Sequence, residues 1–218
     1  VDGFVNAANL ERIEVYRGAN VFLDGGTAFG GSLGGNVNLI PKKADGSASE
    51  LSAGFITDRP FVSADISSDL TTDGRLSARV TAYYSDGDTA IDFNSQQNQN
   101  YALALSWRPN DQLSLLVERT RARSRVRGYR QDLFFVGSDA LPEVPDLSSN
   151  FGQPWSLIND GYVRLIGKAR LDFAEGWSAT IGAGNIWGDD DNGFVDVFPL
   201  VENAQGDTTF FIEQRQFF

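Results

Sequence analysis

From residue 50 onward the chain alternates between apolar and polar positions with a period of two. In residues 75–84, Leu76, Ala78, Val80, Ala82 and Tyr84 are opposed by Arg75, Ser77, Arg79 and Thr81. In residues 101–108, Tyr101, Leu103, Leu105 and Trp107 are opposed by Ala102, Ala104, Ser106 and Arg108. Val163, Leu165, Gly167, Ala169, Leu171 and Phe173 repeat the pattern against Tyr162, Arg164, Lys168, Arg170 and Asp172. Trp177, Ala179, Ile181, Ala183 and Trp187 do so again. Strict alternation of this kind marks strands with one greasy face and one polar or small face. It predicts strands over residues 50–57, 61–70, 75–86, 98–108, 112–124, 160–173, 177–189 and 208–218. Most are near the ~9–11 residues that a tilted strand needs to cross a bilayer.

The connections alternate in length. Thr71-Thr72-Asp73-Gly74, Pro109-Asn110-Asp111 and Ala174-Glu175-Gly176 are tight turns made of residues that tolerate them. Residues 86–97, 126–159 and 190–207 read as long polar loops, and 58–60 as a short one on the same side. Short turns at one end and long loops at the other are the pattern of a bacterial outer-membrane barrel.

Composition narrows the classes. The 218 residues carry a net charge of −11, against the basic face that nucleic-acid binding needs. No run of about 18 apolar residues suggests a membrane helix, leaving a soluble β protein or a membrane barrel, since only helices and closed barrels satisfy the backbone in lipid. Glycine at 23 and phenylalanine at 16 favour β structure with aromatic girdles; Trp107, Trp177 and Trp187 fit that role. Histidine and cysteine are absent, which removes the usual general base, metal ligand and thiol nucleophile. No enzyme, metal site or cofactor is expected. Methionine is absent even at position 1, so the chain reads as an internal fragment or a trimmed piece.

Residues 1–43 have another character. Ile13 and Val15 alternate with Arg12 and Glu14, glycines crowd residues 25–35, and Val37 and Leu39 resume a strand between Asn36, Asn38 and Ile40. A phosphate-cradling loop does not fit: no Gly-Lys-Ser/Thr follows, and a strand follows where a helix would be needed. The order Glu11-Arg12-Ile13-Glu14-Val15, Arg17-Gly18, Leu23-Asp24-Gly25, then Gly34-Gly35-Asn36-Val37-Asn38-Leu39 before Ile40-Pro41-Lys42-Lys43 resembles the C-terminal half of the plug domain of TonB-dependent outer-membrane receptors. The Ile-Pro-Lys-Lys exit is closest to those for ferric siderophores. Ala19-Asn20, where many members have a proline after the glycine, departs from the pattern.

The resemblance implies a fold that is all-β dominated: the C-terminal part of a mixed α/β plug over 1–43, a hinge over 44–49, and the N-terminal portion of a transmembrane antiparallel β-barrel over 50–218. Eight strands alone close only a barrel filled by its own side chains, so the expectation is about 8 strands of a larger one of ~22. The resemblance implies uptake of a ferric siderophore as transported ligand, with another cargo (cobalamin, haem or a saccharide) as the near alternative and a soluble secreted β-repeat module as the distant one. It further implies work by a TonB-ExbB-ExbD complex through a TonB box outside this chain, and an outer membrane with lipopolysaccharide as surroundings. Arg12 and Glu14 are expected to meet opposite charges on the barrel wall; Arg17, Gly18, Gly25, Gly34, Gly35 and Asn38 complete the plug motif.

For the ligand, Phe22 and Phe29 in the upper plug turns and Arg127, Tyr129, Arg130, Phe134, Phe135 and Trp155 in the long loop offer the aromatic and cationic surface that an anionic chelate needs. The same residues could instead pack the loop on itself. Arg119, Arg121, Arg123, Arg125 and Arg127 share one side of an extended chain. The parity of Leu113, Leu115 and Val117 turns them outward, toward lipopolysaccharide phosphates; one bulge would turn them inward to an anionic substrate; a solvated strand top is the third reading.

Overall fold

The structure, a computed structural model, describes residues 7–18, 35–130, 134–135, 144–174, 176–188, 193–201 and 208–216. A single 3-10 turn, Ala7–Asn9, leads into β1 (Leu10–Arg17), which pairs antiparallel with β2 (Gly35–Pro41). Next come β3 (Ala48–Ile56), β4 (Arg59–Asp69), β5 (Leu76–Asp88), β6 (Ser95–Trp107), β7 (Leu113–Arg127), the two-residue β8 (Phe134–Phe135), β9 (Leu157–Ala174) and β10 (Trp177–Gly188). β11 (Gly193–Val201) and β12 (Thr208–Gln216) follow.

β3, β4, β5, β6, β7, β9 and β10 form one seven-stranded antiparallel meander, each strand beside its neighbour in the chain once β8 is set aside. The short turns β4–β5, β6–β7 and β9–β10 all lie at one end, as expected. The sheet does not close, because β10 and β3 are its two edges. Among the described residues no helix is long and apolar enough to cross a membrane.

Burial in this sheet is inverted relative to a water-soluble protein. Ile66, Val80, Tyr101, Leu103, Leu105, Trp107, Val117 and Leu165 are exposed, whereas Ser67, Ser77, Thr81, Ser85, Asn98, Asn100, Glu118, Thr120 and Ser124 are buried. The register explains it: Val80 faces Leu103, and Leu105 faces Val117, on one face. Thr81 faces Ala102, which faces Thr120, on the other. An apolar face of this extent left in water would be an aggregation site, so its solvent is lipid. Rings border the apolar band at both ends: Trp107, Phe173 and Trp177 toward the short turns, and Tyr84, Tyr101 and Trp187 toward the long loops.

Two expectations change. Eight segments were expected in the wall, but residues 208–216 pair with β11, which also pairs with β8, in a separate three-stranded sheet of order β12-β11-β8. The loop expected over 190–207 contains β11. Pro199 hid it, since proline lacks the ladder N–H and argues against a strand interior; here β8 meets β11 only at Leu200 and Val201, past that residue.

Candidate functional site

Two sites take shape, one where the first hairpin meets the polar face of the sheet and one among the long loops. In β1, Arg12, Glu14 and Tyr16 lie on one face because successive strand side chains alternate. Arg12 Nε donates to Glu14 Oε1 at 2.8 Å, Tyr16 Oη to Glu14 Oε2 at 2.9 Å, and Asn38 Nδ2 to the same oxygen at 3.0 Å. Three donors to one carboxylate hold Glu14 below the usual carboxylate range, Arg12 contributing most, then Tyr16 and Asn38. Motif residues Arg12, Glu14 and Asn38 therefore form one cluster within the hairpin.

The expected pairing of Arg12 and Glu14 with the wall is not what the structure shows: they pair with each other, and Arg12 also approaches Glu11 at 3.3 Å. The reason is register, since Glu14 sits opposite Asn38 and two residues from Arg12. Arg17 is exposed, Gly18 has φ +84°, and Gly35 has φ +127° where a Cβ would collide with the Tyr16 carbonyl. Phe22, Phe29, Gly25 and Gly34 lie outside the described residues.

Among the described residues, Lys42 makes an ion pair from the end of the hairpin to the wall. Its Nζ reaches Asp65 Oδ2 at 2.6 Å on β4, and Arg79 on β5 grips the same carboxylate through Nε at 2.7 Å and Nη2 at 2.8 Å. Arg79 Nη1 also donates to the Lys43 carbonyl at 3.0 Å, and Ser67 Oγ to the Gly46 carbonyl at 3.0 Å. Residues 42–46 are thus held on the wall, and Ala44 is buried. The sequence reading named none of Lys42, Asp65 or Arg79; an acid and an arginine on the polar sides of adjacent strands was the available signal. Farther along the same face Glu118 accepts from Thr120 Oγ1 at 2.7 Å and Arg164 Nη2 at 2.6 Å.

At the opposite end from the short turns, residues 89–94, 127–128 and 148–156 are sewn together. Asn94 Nδ2 donates to the carbonyls of Gly128 at 2.9 Å and Arg127 at 3.2 Å. Asn150 Nδ2 donates to the carbonyls of Gly128 at 2.7 Å and Asp92 at 2.8 Å. The Asp92 amide reaches the Ser148 carbonyl at 2.8 Å, and the Gly128 amide the Ser156 carbonyl at 2.9 Å. Gly128 has φ +60°, and a Cβ there would overlap the Phe93 carbonyl, so only glycine fits. Phe93 itself has φ 59°, an uncommon state for a bulky residue, and its ring is 75% exposed.

Of the loop residues expected to meet a ligand, Trp155 is 71% exposed, Tyr129 and Arg130 are half-buried, and Arg130 Nη1 is occupied by the Leu147 carbonyl at 3.2 Å. Phe134 and Phe135 form β8, paired with β11. Arg127 is set apart: it lies on the outer, apolar face of the sheet. Phe93, Val144 and Leu147, all exposed, were missed, because an isolated apolar residue in a polar loop carries no periodic signal. Among the described residues no group of three or more His, Cys, Asp or Glu could hold a metal ion. What this end offers, among the described residues, is hydrogen-bonded backbone with exposed rings.

No protein-family profile matches the chain. Over 218 residues it is 24% identical to the ferrichrome receptor FcuA of Yersinia enterocolitica, covering 94% of this chain and 27% of that protein. Over 185 residues it is 31% identical to the metal-pseudopaline receptor CntO of Pseudomonas aeruginosa, covering 81% of this chain and 25% of that protein. The fold matches that of BauA, the ferric preacinetobactin receptor of Acinetobacter baumannii, with TM-score 0.86 and 20% identity over 96% of this chain and 31% of that one. The fold is that of TonB-dependent siderophore receptors. It spans 25–27% of the length of the curated relatives it matches. The apolar outer face of the wall agrees with the outer-membrane placement of these receptors.

Proposed function

We propose that this chain is the plug-to-wall section of a receptor that takes up a ferric siderophore across the outer membrane of a Gram-negative bacterium. Residues 1–43 are the last part of the plug, 44–49 the joint, and 50–218 the first part of a multi-pass barrel. The observation that carries the reading is the hairpin fixed by Lys42, Asp65 and Arg79 to the polar face of an open sheet whose other face is apolar. Such a sheet is a wall around an aqueous lumen, and a folded segment on its inner side blocks that lumen. The relatives' cargoes, ferrichrome and a metal-pseudopaline complex, support a metal chelate as ligand. A TonB-ExbB-ExbD complex supplies the work that moves the plug, and the protein acts as carrier, not as enzyme.

The test is tryptophan-fluorescence quenching of the full-length receptor in detergent. Ferric hydroxamate, catecholate and mixed chelates are titrated beside cobalamin, haem and oligosaccharides. Saturable quenching by one ferric chelate class is expected, with affinity lowered about tenfold by Trp155→Ala or Gly128→Ala, an effect of ~1.4 kcal/mol. Quenching by cobalamin, haem or a saccharide alone would replace the iron reading.

A further inference from the structure

We propose that a recess on the inner face between β9 and β10, centred on Lys168, is a resting point for an anionic metal chelate passing inward beside the plug. Arg164 lies on the inner face, where it meets Glu118, and alternation puts Ile166, Lys168 and Arg170 on the same side. Across the pair, Ile186 stands opposite Arg164, Gly184 opposite Ile166, Gly182 opposite Lys168 and Thr180 opposite Arg170. The inward positions of β10 are therefore small from Ser178 to Gly184. With two successive inward positions lacking a side chain, a recess of about 480 Å³ opens, bounded by Arg164, Ile166, Lys168 and Ile186. The strand packing keeps it open: a Cβ at Gly184 would come to 3.0 Å from the Leu165 carbonyl oxygen and 3.2 Å from the Ile166 side chain.

Charge singles out Lys168. Along the inner side of β9, Arg164 is matched by Glu118 at 2.6 Å and Arg170 by Asp172 at 2.7 Å. Among the described residues no carboxylate pairs with Lys168, which is exposed. One unmatched cation therefore stands in the recess, and the Nε of Arg164, which lines it as well, is buried without a hydrogen-bond acceptor. Ile166 and Ile186 add apolar surface. A cation between apolar side chains suits a ligand that is negative overall and partly apolar in its arms, as a metal chelate is. A single charge also keeps the hold weak, and a stop along a path has to release what it binds. The recess lies on the opposite flank of the sheet from the joint. Lys42 is held on β4 and β5, and the 3-10 turn packs against β5 and β6, whereas β10 is exposed along its length. A chelate moving along β9 and β10 thus leaves the Lys42, Asp65 and Arg79 cluster intact.

The inference rests on the proposed uptake of a ferric chelate, and the experiment separates the two. Cells carrying the full-length receptor or its Lys168→Arg, Lys168→Gln and Lys168→Glu variants are given anionic catecholate and hydroxamate chelates of radioactive iron, and surface receptor is counted with antibody. Binding is read in de-energised cells and uptake in energised ones. Binding affinity is expected to stay at the wild-type value throughout. Uptake per receptor is expected to fall about fivefold in Lys168→Gln and further in Lys168→Glu, and to be retained in Lys168→Arg, since one opposite charge is at stake. Gly182→Leu, which fills the recess, should slow uptake without weakening binding. Wild-type uptake by Lys168→Glu with binding intact overturns the resting point alone. A loss of binding as large as the loss of uptake also overturns it, by moving Lys168 to the entry site, and so does saturation of the wild-type receptor by neutral chelates only. Absence of saturable binding of every ferric chelate overturns the uptake reading itself. Should Lys168→Glu not reach the surface, Lys168→Gln and Gly182→Leu decide, and wild-type uptake by both overturns the proposal.

Discussion

On the outer face of the wall, arginines of β7 stand above a belt of Leu, Val and Tyr, and among the described residues no carboxylate forms an ion pair with Arg119, Arg125 or Arg127. One residue away along the same strand, on the inner face, Glu118 is 3% exposed and is met by both Thr120 and Arg164. The same alternation produces both faces, yet they handle charge oppositely. At a carboxylate as buried as Glu118, a charge survives only with its partners built in. Outside, charge is excluded from the belt and accepted only at its border, where the surroundings supply counter-ions. Removing one partner inside should therefore cost more than adding a charge outside, and the cost outside should depend on depth.

The sharpest test of the inner face is Glu118→Ala, which strands Arg164, whose side chain is 15% exposed. A loss of about 3–5 kcal/mol is expected for breaking a buried pair from one side, read from denaturant unfolding of the full-length receptor in detergent. Glu118→Leu with Arg164→Met should recover most of it; a single substitution as mild as the double would show that the pair is not desolvated. On the outer face Leu105→Arg should cost about 2–4 kcal/mol, as for a charge near the middle of the belt, measured by unfolding from lipid vesicles. Gln99→Arg, three repeats of the alternation nearer the loops, should cost under about 1 kcal/mol; equal costs would erase the depth argument.

Asp65→Asn weakens both the Lys42 and the Arg79 contacts at the joint, with about 2 kcal/mol expected from hydrogen bonds to charged groups. The matching observation is faster amide exchange in residues 42–46, with no change in 113–127. The smallest effect belongs to Glu14, out on the hairpin. Its folded carboxyl is held below its unfolded value by Arg12, Tyr16 and Asn38, so its contribution is present above the unfolded value of about 4.3 and fades as pH falls through the folded one. Amide protection in β1 and β2 should drop only in that acid range, and Arg12→Gln should flatten the profile. Loss of protection at pH 6 would point to another group.

Much of the wall was legible in advance because a strand that is greasy on one side and wet on the other writes its period into the chain. The observed strands β5, β6, β7, β9 and β10 fall within three residues of the expected ends. Their tops are longer than a membrane crossing requires, β7 at 15 residues and β9 at 18. The three arginines beyond the upper ring stand on that extension. The plug motif was legible as residue types, yet which charge meets which was not. Arg12 and Glu14 could face the wall or each other until the pairing with β2 put Asn38 opposite Glu14. Phe93, Asn94 and Asn150 gave no signal, because a loop's shape depends on contacts between segments far apart in sequence, here Asp92 with Ser148.

The sequence by itself determined the alternation, the tight turns at one end and the glycine-rich hairpin, since these depend on local geometry and on the solvent each face must meet. Only the tertiary structure decided the direction of the arginine row, because a single bulge anywhere in β7 would have reversed it and leaves no mark in composition. It also decided that, among the described residues, Lys42 reaches the wall while Arg12 and Glu14 pair with each other. An ion pair needs two side chains within about 4 Å, and the distance between strands is set by register and packing, which no single stretch of sequence contains.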